Sequence, residues 1–321
     1  MSSPPREHVP APALLARARL LAAPTVSADV VRELERITGR PVEQGFSGTA
    51  PEEPFLCVGA SLPDALRNGP LVWFHSVNAG TDALLAAGPW PSGALLTRTV
   101  GRMGERIAQY VLAWVLADCQ SVPEFAAQHA RAEWRRIPSE LAAGRTAVVY
   151  GTGRIGSVVA AALRGCGIRT VGVGREARTA PPAGFDRVVG AADDARPLAS
   201  ARWVVSTLPL TPATDGFFGT DRFAAMGGAT FVNVGRGATV DMRALEAALR
   251  SGAVGRAVLD VLPEEPAPPG DPCWRLPRTV ITSHSAGITT DEDIVVDFGA
   301  CWEAVTRGRL PETAVDVARG Y

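Results

Sequence analysis

Three polar residues each stand just past an apolar run, where a short strand would end: Arg236 in FVNVGRGATVD, Glu265 in AVLDVLPEEPAPPGDPCW and His284 in VITSHSAG. These residue types suit one kind of chemistry. An arginine holds the carboxylate of a 2-oxo acid and polarises its carbonyl. A histidine passes a proton to the carbonyl oxygen, and a glutamate orients that histidine and favours its charged form. Glu265 lies 29 positions after Arg236 (265 − 236) and 19 before His284 (284 − 265). Two of them also have a plainer reading, Arg236 as a strand-end salt bridge and His284 as a structural histidine. Asp260, in the same run as Glu265, is a further acid at a strand end.

Upstream, TAVVYGTGRIGSVVAAAL sets Gly151, Gly153 and Gly156 in G-x-G-x-x-G spacing, with Arg154 and Ile155 inside the loop. The pattern alone is weak in a chain with 33 glycines. Its context, an apolar strand before and an amphipathic helix after, favours a dinucleotide loop over the plain alternative, a generic strand–helix turn. Gly151 permits the tight turn, Gly153 lets backbone approach a pyrophosphate, and Gly156 lets helix pack on strand. The helix N-terminus offers N–H groups and the positive end of its dipole to phosphates. About 20 residues on, an NAD site places a carboxylate for the ribose 2′-hydroxyl. Here RTVGVGREAR supplies Gly174 and Arg175, with Arg178 close behind. A guanidinium binds a 2′-phosphate bidentately, so NADP(H) is expected over NAD(H). Glu176 restores an acid if the strand ends one residue later, and the plain alternative makes both arginines solvated loop charges.

The elements that must carry these residues alternate regularly. Apolar strands are expected at Ala147–Tyr150, Thr170–Val173, Trp203–Ser206, Thr230–Val234, Ala257–Val261 and Val280–Thr282, with helices at Ile155–Arg164, Met242–Arg250 and Glu292–Thr306. Such alternation predicts an α/β protein with a doubly wound parallel sheet. Before it come strands near residues 18–23, Phe55–Val58 and Leu71–Phe74, and a helix Ala28–Thr38 capped by Ser27. A helix starts at Thr81, and a long one spans Gly101 to Cys119. The first twelve or so residues are Pro-rich and expected to be poorly ordered.

Composition narrows the functions. With 321 residues and a net charge of −1, two domains are expected and nucleic acid is not expected as a partner. All 32 basic residues are Arg, which removes every lysine-based mechanism. Five scattered cysteines (Cys57, Cys119, Cys166, Cys273, Cys301) form no CxxC pair, so neither a metal site nor a disulfide frame is expected. The opening MSSPPREHVPAP lacks a signal peptide's apolar core, and no apolar run approaches the roughly 20 residues of a membrane span. A cytoplasmic protein without a membrane partner is the expectation.

In its later segments the chain resembles the D-isomer-specific 2-hydroxyacid dehydrogenase family, in its glyoxylate/hydroxypyruvate reductase-like branch. GTGRIG, STLPLTPATDGFFG (Ser206–Gly219), NVGRGATVDMRALEAALRSG (Asn233–Gly252), LDVLPEEP (Leu259–Pro266) and TSHSAG (Thr282–Gly287) occur in the family's order. The resemblance implies Arg236, Glu265 and His284 as the catalytic trio; Glu265, not Glu264, holds the place of the family's Glu before Pro. It implies that Asp260 binds the nicotinamide carboxamide, that the backbone around Leu208 and Pro209 lies near the adenosine, and that Val234 is a cofactor contact. VNAGTD resembles the substrate-carboxylate loop, with Ala79 and Gly80 offering backbone N–H groups. Also implied are a flavodoxin-like substrate domain (residues 1–98 with 288–321), a Rossmann domain (99–287), an active site in the cleft between them, and a homodimer. The long helix resembles the family's interdomain helix, with Gln109 where a Glu is common, and Trp134 sits where a Trp often precedes the glycine loop. Ser283 replaces the family's Pro before the histidine, loosening the backbone there. With the sequence stopping soon after its last helix, the extra regulatory domain of many phosphoglycerate dehydrogenases is not expected. The implied reaction is reversible reduction of a small 2-oxo acid to the D-2-hydroxy acid. The alternative is a dinucleotide-sensing, non-catalytic paralogue or corepressor-like binding protein.

Remaining candidates have bland readings. His75 and Trp73, in LVWFHS, could line a substrate pocket but more often such residues are structural. His8 and His129 have no partner pattern.

Overall fold

The structure is a computed structural model that describes residues 9–45, 49 and 51–320. The chain forms two compact units, Met1–Arg102 with Thr289–Tyr321, and Met103–Ile288. Residues 1–8, which include His8 and most of the Pro-rich opening, lie outside the described residues. From Pro12 the chain is a short helix, Pro12–Arg17, with proline in its first turn where a missing N–H does no harm.

The first unit holds a five-stranded sheet of β1 (Arg19–Ala22), β2 (Glu43–Gln44), β3 (Phe55–Gly59), β4 (Leu71–Ser76) and β5 (Leu95–Arg98). Its order is β2-β1-β3-β4-β5 and every pairing is parallel. All residues of β3 and β4 are buried, as a sheet covered on both faces requires. Alternate residues serve opposite faces. Leu56 and Val58 pack with Val30 and Leu34 of helix Ala28–Thr38 and with Phe298 and Val305 of helix Asp291–Thr306. Phe55 and Cys57 pack with Leu62, Leu66 and Leu84.

The second unit's sheet comprises β6 (Thr146–Tyr150), β7 (Arg169–Gly174), β8 (Arg187–Gly190), β9 (Trp203–Ser206), β10 (Ala229–Asn233), β11 (Val254–Leu259) and β12 (Thr279–Ile281). Its order is β12-β11-β10-β9-β6-β7-β8, again all parallel. The chain winds outward from β6 through β8, then returns to lay β9 on the other side of β6. That reversal is the switch point beside which doubly wound sheets bind ligands, at the carboxyl ends of the strands. Ala147 and Val149 face a core shared with helices Met103–Cys119 and Arg154–Gly165, while Val148 and Tyr150 face one shared with Phe223, Leu245 and Leu249. Asp118, near the end of helix Met103–Cys119, anchors it to the sheet's far edge. Its Oδ2 accepts from Trp203 Nε1 (3.0 Å), Thr230 Oγ1 (3.1 Å) and Arg202 (2.8 Å).

The expected elements form with ends shifted by up to three residues. Strands β2, β5 and β8 and helices Pro12–Arg17, Asp64–Arg67, Val122–Ala130, Ala195–Ala199 and Thr220–Ala224 were not anticipated. All but Val122–Ala130 span six residues or fewer, which leaves little period to read. Ser27 caps helix Ala28–Thr38 as its position suggests: its Oγ accepts from Val30 N (3.2 Å) and donates to Asp291 Oδ2 (2.6 Å). Ser27→Ala should lower unfolding free energy by about 1 kcal/mol. Urea denaturation followed by far-UV circular dichroism measures it; an unchanged midpoint would show that the cap contributes nothing.

Candidate active site

The glycine loop follows β6 at the switch point. Gly151 has φ +95°, a region that L side chains rarely adopt. A Cβ on Gly156 would lie 1.8 Å from Gly151 O, so only glycine lets the helix sit this close to the turn. A Cβ on Gly153 would meet nothing within 4 Å. Gly153 is also the N-cap of the 12-residue helix Arg154–Gly165, and no side chain caps that end. The first-turn amides are thus left to an anionic ligand, and the donors and the open glycine surface fit a pyrophosphate. On the neighbouring strand end, Thr207 Oγ1 donates to Tyr150 O (2.9 Å), fixing the start of the loop that carries Leu208 and Pro209. Gly174 ends β7, and Arg175, Glu176 and Arg178 lie exposed just beyond it, with the Arg178 amide donating to Val188 O (3.3 Å).

Arg236, Glu265 and His284 follow β10, β11 and β12, three adjacent strands, at their carboxyl ends. Arg236 stands between two glycines that allow close backbone approach. A Cβ on Gly235 would lie 2.5 Å from Leu208 O, and one on Gly237 would lie 1.9 Å from Leu262 C. The loop after β10 is thereby wedged between the loops after β9 and β11. Asn233, fully buried, fastens it from below: Oδ1 accepts from Gly235 N (3.1 Å) and Nδ2 donates to Arg236 O (3.1 Å). Thr239 Oγ1 donates to the same carbonyl (2.6 Å).

Glu265 joins the next two loops. Its Oε1 accepts from Leu262 N (2.8 Å) and its Oε2 lies 2.7 Å from His284 Nδ1. A carboxylate only accepts, so Nδ1–H donates, and in the neutral ring Nε2 carries the lone pair. The His284 side chain is 49% exposed and that of Glu265 35%, accessible to a small molecule.

The backbone under the imidazole is unusual. Ser283 (φ +55°) and His284 (φ +56°) are consecutive left-handed residues with side chains, a conformation that costs roughly 1–2 kcal/mol per residue. Proline, locked at roughly −65°, has no access to it, so Ser283 permits a turn that a proline there would forbid. Asp260, 3% exposed, holds the turn. Its carboxylate accepts from Thr282 Oγ1 (2.7 Å), Ser285 N (2.7 Å) and Ala286 N (3.0 Å), while its carbonyl accepts from His284 N (2.6 Å). This grip was not legible in the sequence, because it joins residues more than twenty positions apart. Asn233 was missed for a different reason: it sits inside a matched motif, but its buried amide contacts have no sequence signature.

Ala79 and Gly80 lie in the first unit, just past β4. Ser76 Oγ donates to Asn78 O (3.0 Å) and Arg98 donates to Ala79 O (3.1 Å), which orders this loop. Trp134 is 99% exposed, and His129 is exposed on helix Val122–Ala130. Among the described residues no helix is long and apolar enough to cross a membrane, and no group of three His, Cys, Asp or Glu could hold a metal ion.

Comparison with known proteins agrees with this geometry. The family model for the D-isomer specific 2-hydroxyacid dehydrogenase, NAD binding domain, matches residues 112–286. An uncharacterized protein in the mprR 3′ region of Streptomyces coelicolor is 57% identical over 278 residues, 86% of this chain and 99% of that protein. Glyoxylate/hydroxypyruvate reductase A of Serratia proteamaculans is 31% identical over 262 residues, 79% of this chain and 83% of the relative. A D-isomer specific 2-hydroxyacid dehydrogenase from Xanthobacter autotrophicus, solved with NADPH and MES, superposes with a TM-score of 0.82 at 29% identity, over 95% of this chain and 100% of that one. The NADPH-dependent glyoxylate/hydroxypyruvate reductase of Sinorhizobium meliloti, solved with NADP and sulfate, gives 0.80 at 25% identity, with the same coverage. The chain belongs to the D-isomer specific 2-hydroxyacid dehydrogenase family.

His75 and Trp73 are core residues. His75 is fully buried, with Nδ1 2.8 Å from Thr97 Oγ1 and Nε2 3.1 Å from Thr99 Oγ1. Trp73 donates to Thr97 Oγ1 (2.8 Å) and stacks on Phe298 at 5.4 Å. Burial pushes the His75 pKa down to about 3. The unfolded chain takes up a proton near the ordinary 6.5, so between those values it binds more protons than the folded one, and stability falls as pH drops. From about pH 7 to about pH 5 this group alone should remove about 2 kcal/mol. His75→Gln should flatten that acid limb in urea titrations at a series of pH values; an unchanged slope would show that another group causes it.

Proposed function

We propose that this chain is an NADPH-preferring reductase of small 2-oxo acids of the glyoxylate/hydroxypyruvate class, forming the D-2-hydroxy acid. The observation that carries the reading is the 2.7 Å contact between Glu265 and His284 at the carboxyl edge of the sheet. Nicotinamide dinucleotide, when bound, supplies the hydride. His284 Nε2 delivers a proton to the 2-oxo oxygen while Glu265 holds the ring and stabilises the imidazolium. Arg236 clamps the carboxylate and polarises the carbonyl. By the family resemblance the first unit, whose Ala79 and Gly80 offer backbone N–H groups to a carboxylate, is the substrate domain and the second the dinucleotide domain. In the latter, Gly151, Gly153, Arg154, Ile155 and Gly156 cradle the pyrophosphate, Leu208 and Pro209 flank the adenosine, and Val234 lines the nicotinamide side. Of the roughly four acceptor directions of the Asp260 carboxylate, three serve the His284 turn. The remaining one takes the carboxamide.

NADPH preference is supported by Arg175 and Arg178 beyond Gly174, and by the NADPH and NADP held in the two structural relatives. The family resemblance is what carries the expectation of a homodimer.

Steady-state assay of a 2-oxo acid panel with both cofactors tests the reading. kcat/KM should favour NADPH by at least roughly tenfold, the low end for one charge-assisted contact. Arg175→Ala should erode that ratio through the NADPH constant alone. A wild-type preference for NADH would place Glu176, not Arg175, at the ribose. His284→Gln should cost about 10²–10⁴-fold in kcat, and Arg236→Lys, which keeps charge but loses the fork, should raise KM for the 2-oxo acid and lower kcat. Near wild-type constants in both variants would remove these residues from the chemistry.

A further inference from the structure

Helix Met103–Cys119 carries a phenol that the proposed chemistry does not use. Tyr110 OH lies 2.6 Å from Thr282 Oγ1, and Thr282 Oγ1 lies 2.7 Å from Asp260 Oδ1. The direction of this chain is fixed by its end. The carboxylate can only accept, the Thr282 hydroxyl has one proton and spends it there, and so Tyr110 must donate to Thr282. Burial pushes the Tyr110 pKa up to about 12, which keeps the phenol a donor. Its ring packs edge-on to Trp114 at 6.2 Å.

We propose that Tyr110 is a positioning residue for His284, holding through Thr282 and Asp260 the left-handed turn that aims the imidazole. The inference rests on the assignment of His284 as proton donor. Thr282 is the residue immediately before the left-handed pair, and Asp260 takes the two amides immediately after it, Ser285 N and Ala286 N. The turn is therefore gripped on both sides by one carboxylate, and Tyr110 sets the Thr282 hydroxyl that one grip needs. A second contact with the same helix closes the loop: a Cβ on Gly287 would lie 2.9 Å from side-chain carbons of Met103 and Ile107. The helix is thus a rail along which residues 282–287 are laid. Strained backbone persists only where its surroundings over-determine it, and without the Tyr110 donor the Thr282 hydroxyl is free to rotate off Asp260. The turn then relaxes toward right-handed or extended backbone and the ring leaves Glu265.

Tyr110→Phe keeps the ring and removes the donor. Thr282→Val removes the relay, and Thr282→Ser retains it. Two readouts are taken on the full-length protein: kcat and KM with NADPH and glyoxylate, and histidine-selective nitrogen NMR at a pH where imidazoles are neutral. The His284 signal among the four histidines is assigned by its loss in His284→Gln. We expect Tyr110→Phe and Thr282→Val to lower kcat by about tenfold or more, toward the ~10²-fold that a 1 Å misplacement costs, with KM for NADPH unchanged. In both, the His284 spectrum should shift from the Nδ1–H tautomer that Glu265 selects toward a mixture, and Thr282→Ser should restore both readouts. A wild-type His284 spectrum in Tyr110→Phe would overturn the proposal, whether or not kcat falls. A wild-type enzyme that turns over no 2-oxo acid would defeat the proposed function instead, while the spectra would still decide whether Tyr110 sets the ring.

Discussion

One carboxylate, buried at the end of β11, governs the geometry at the edge of the second sheet. Asp260 is 3% exposed and accepts three hydrogen bonds from the loop that follows β12. A buried carboxylate without donors is costly, so its burial and the shape of that loop require each other. The loop in turn presents His284 to Glu265, whose second oxygen is held by Leu262 N. Parallel pairing of β11 with β12 sets Leu259 opposite Ile281, which brings Asp260 and the Thr282–Ala286 turn side by side. The pair depends on the sheet, and the turn depends on the acid.

A second constraint is how closely the loops approach. Gly235 and Gly237 let the segment carrying Arg236 wedge between its neighbours, and Gly156 lets a helix begin almost on top of Gly151. A methyl group at Gly156 or Gly237 would sit within 2 Å of backbone, which no side-chain adjustment relieves. The polar residues are thereby held by backbone packing and not by flexible contacts, as a site that must orient reacting atoms requires.

Much of this was legible in the sequence because it is local. GTGRIG lies between a buried strand and an amphipathic helix, and its three glycines show their reasons within six residues. Arg236, Glu265 and His284 were singled out because each follows an apolar run that becomes a strand, and the structure brings Glu265 and His284 into contact. What stayed hidden is non-local or short. Asp260 reads as one more acid at a strand end; its hold on Thr282, Ser285 and Ala286 appears only when β11 and β12 pair. Tyr110 looked like any aromatic on a helix, since its partner is 172 residues away. Ser283 was recognised as a departure that frees the backbone, but the left-handed turn it allows could not be read from residue type. Burial decided the case of His75, whose partners Thr97 and Thr99 lie on or just past β5, a strand too short to read.

The most direct test of the central claim is a crystal structure with NADPH and oxamate, a non-reducible stand-in for a 2-oxo acid. The account predicts His284 Nε2 at about 2.6–3.2 Å, hydrogen-bonding distance, from the oxamate amide oxygen, which stands in for the 2-oxo oxygen. The guanidinium of Arg236 should lie on the same ligand and Glu265 should remain on Nδ1. Oxamate bound with Nε2 turned away from it, or held by Glu265 directly, would contradict the account.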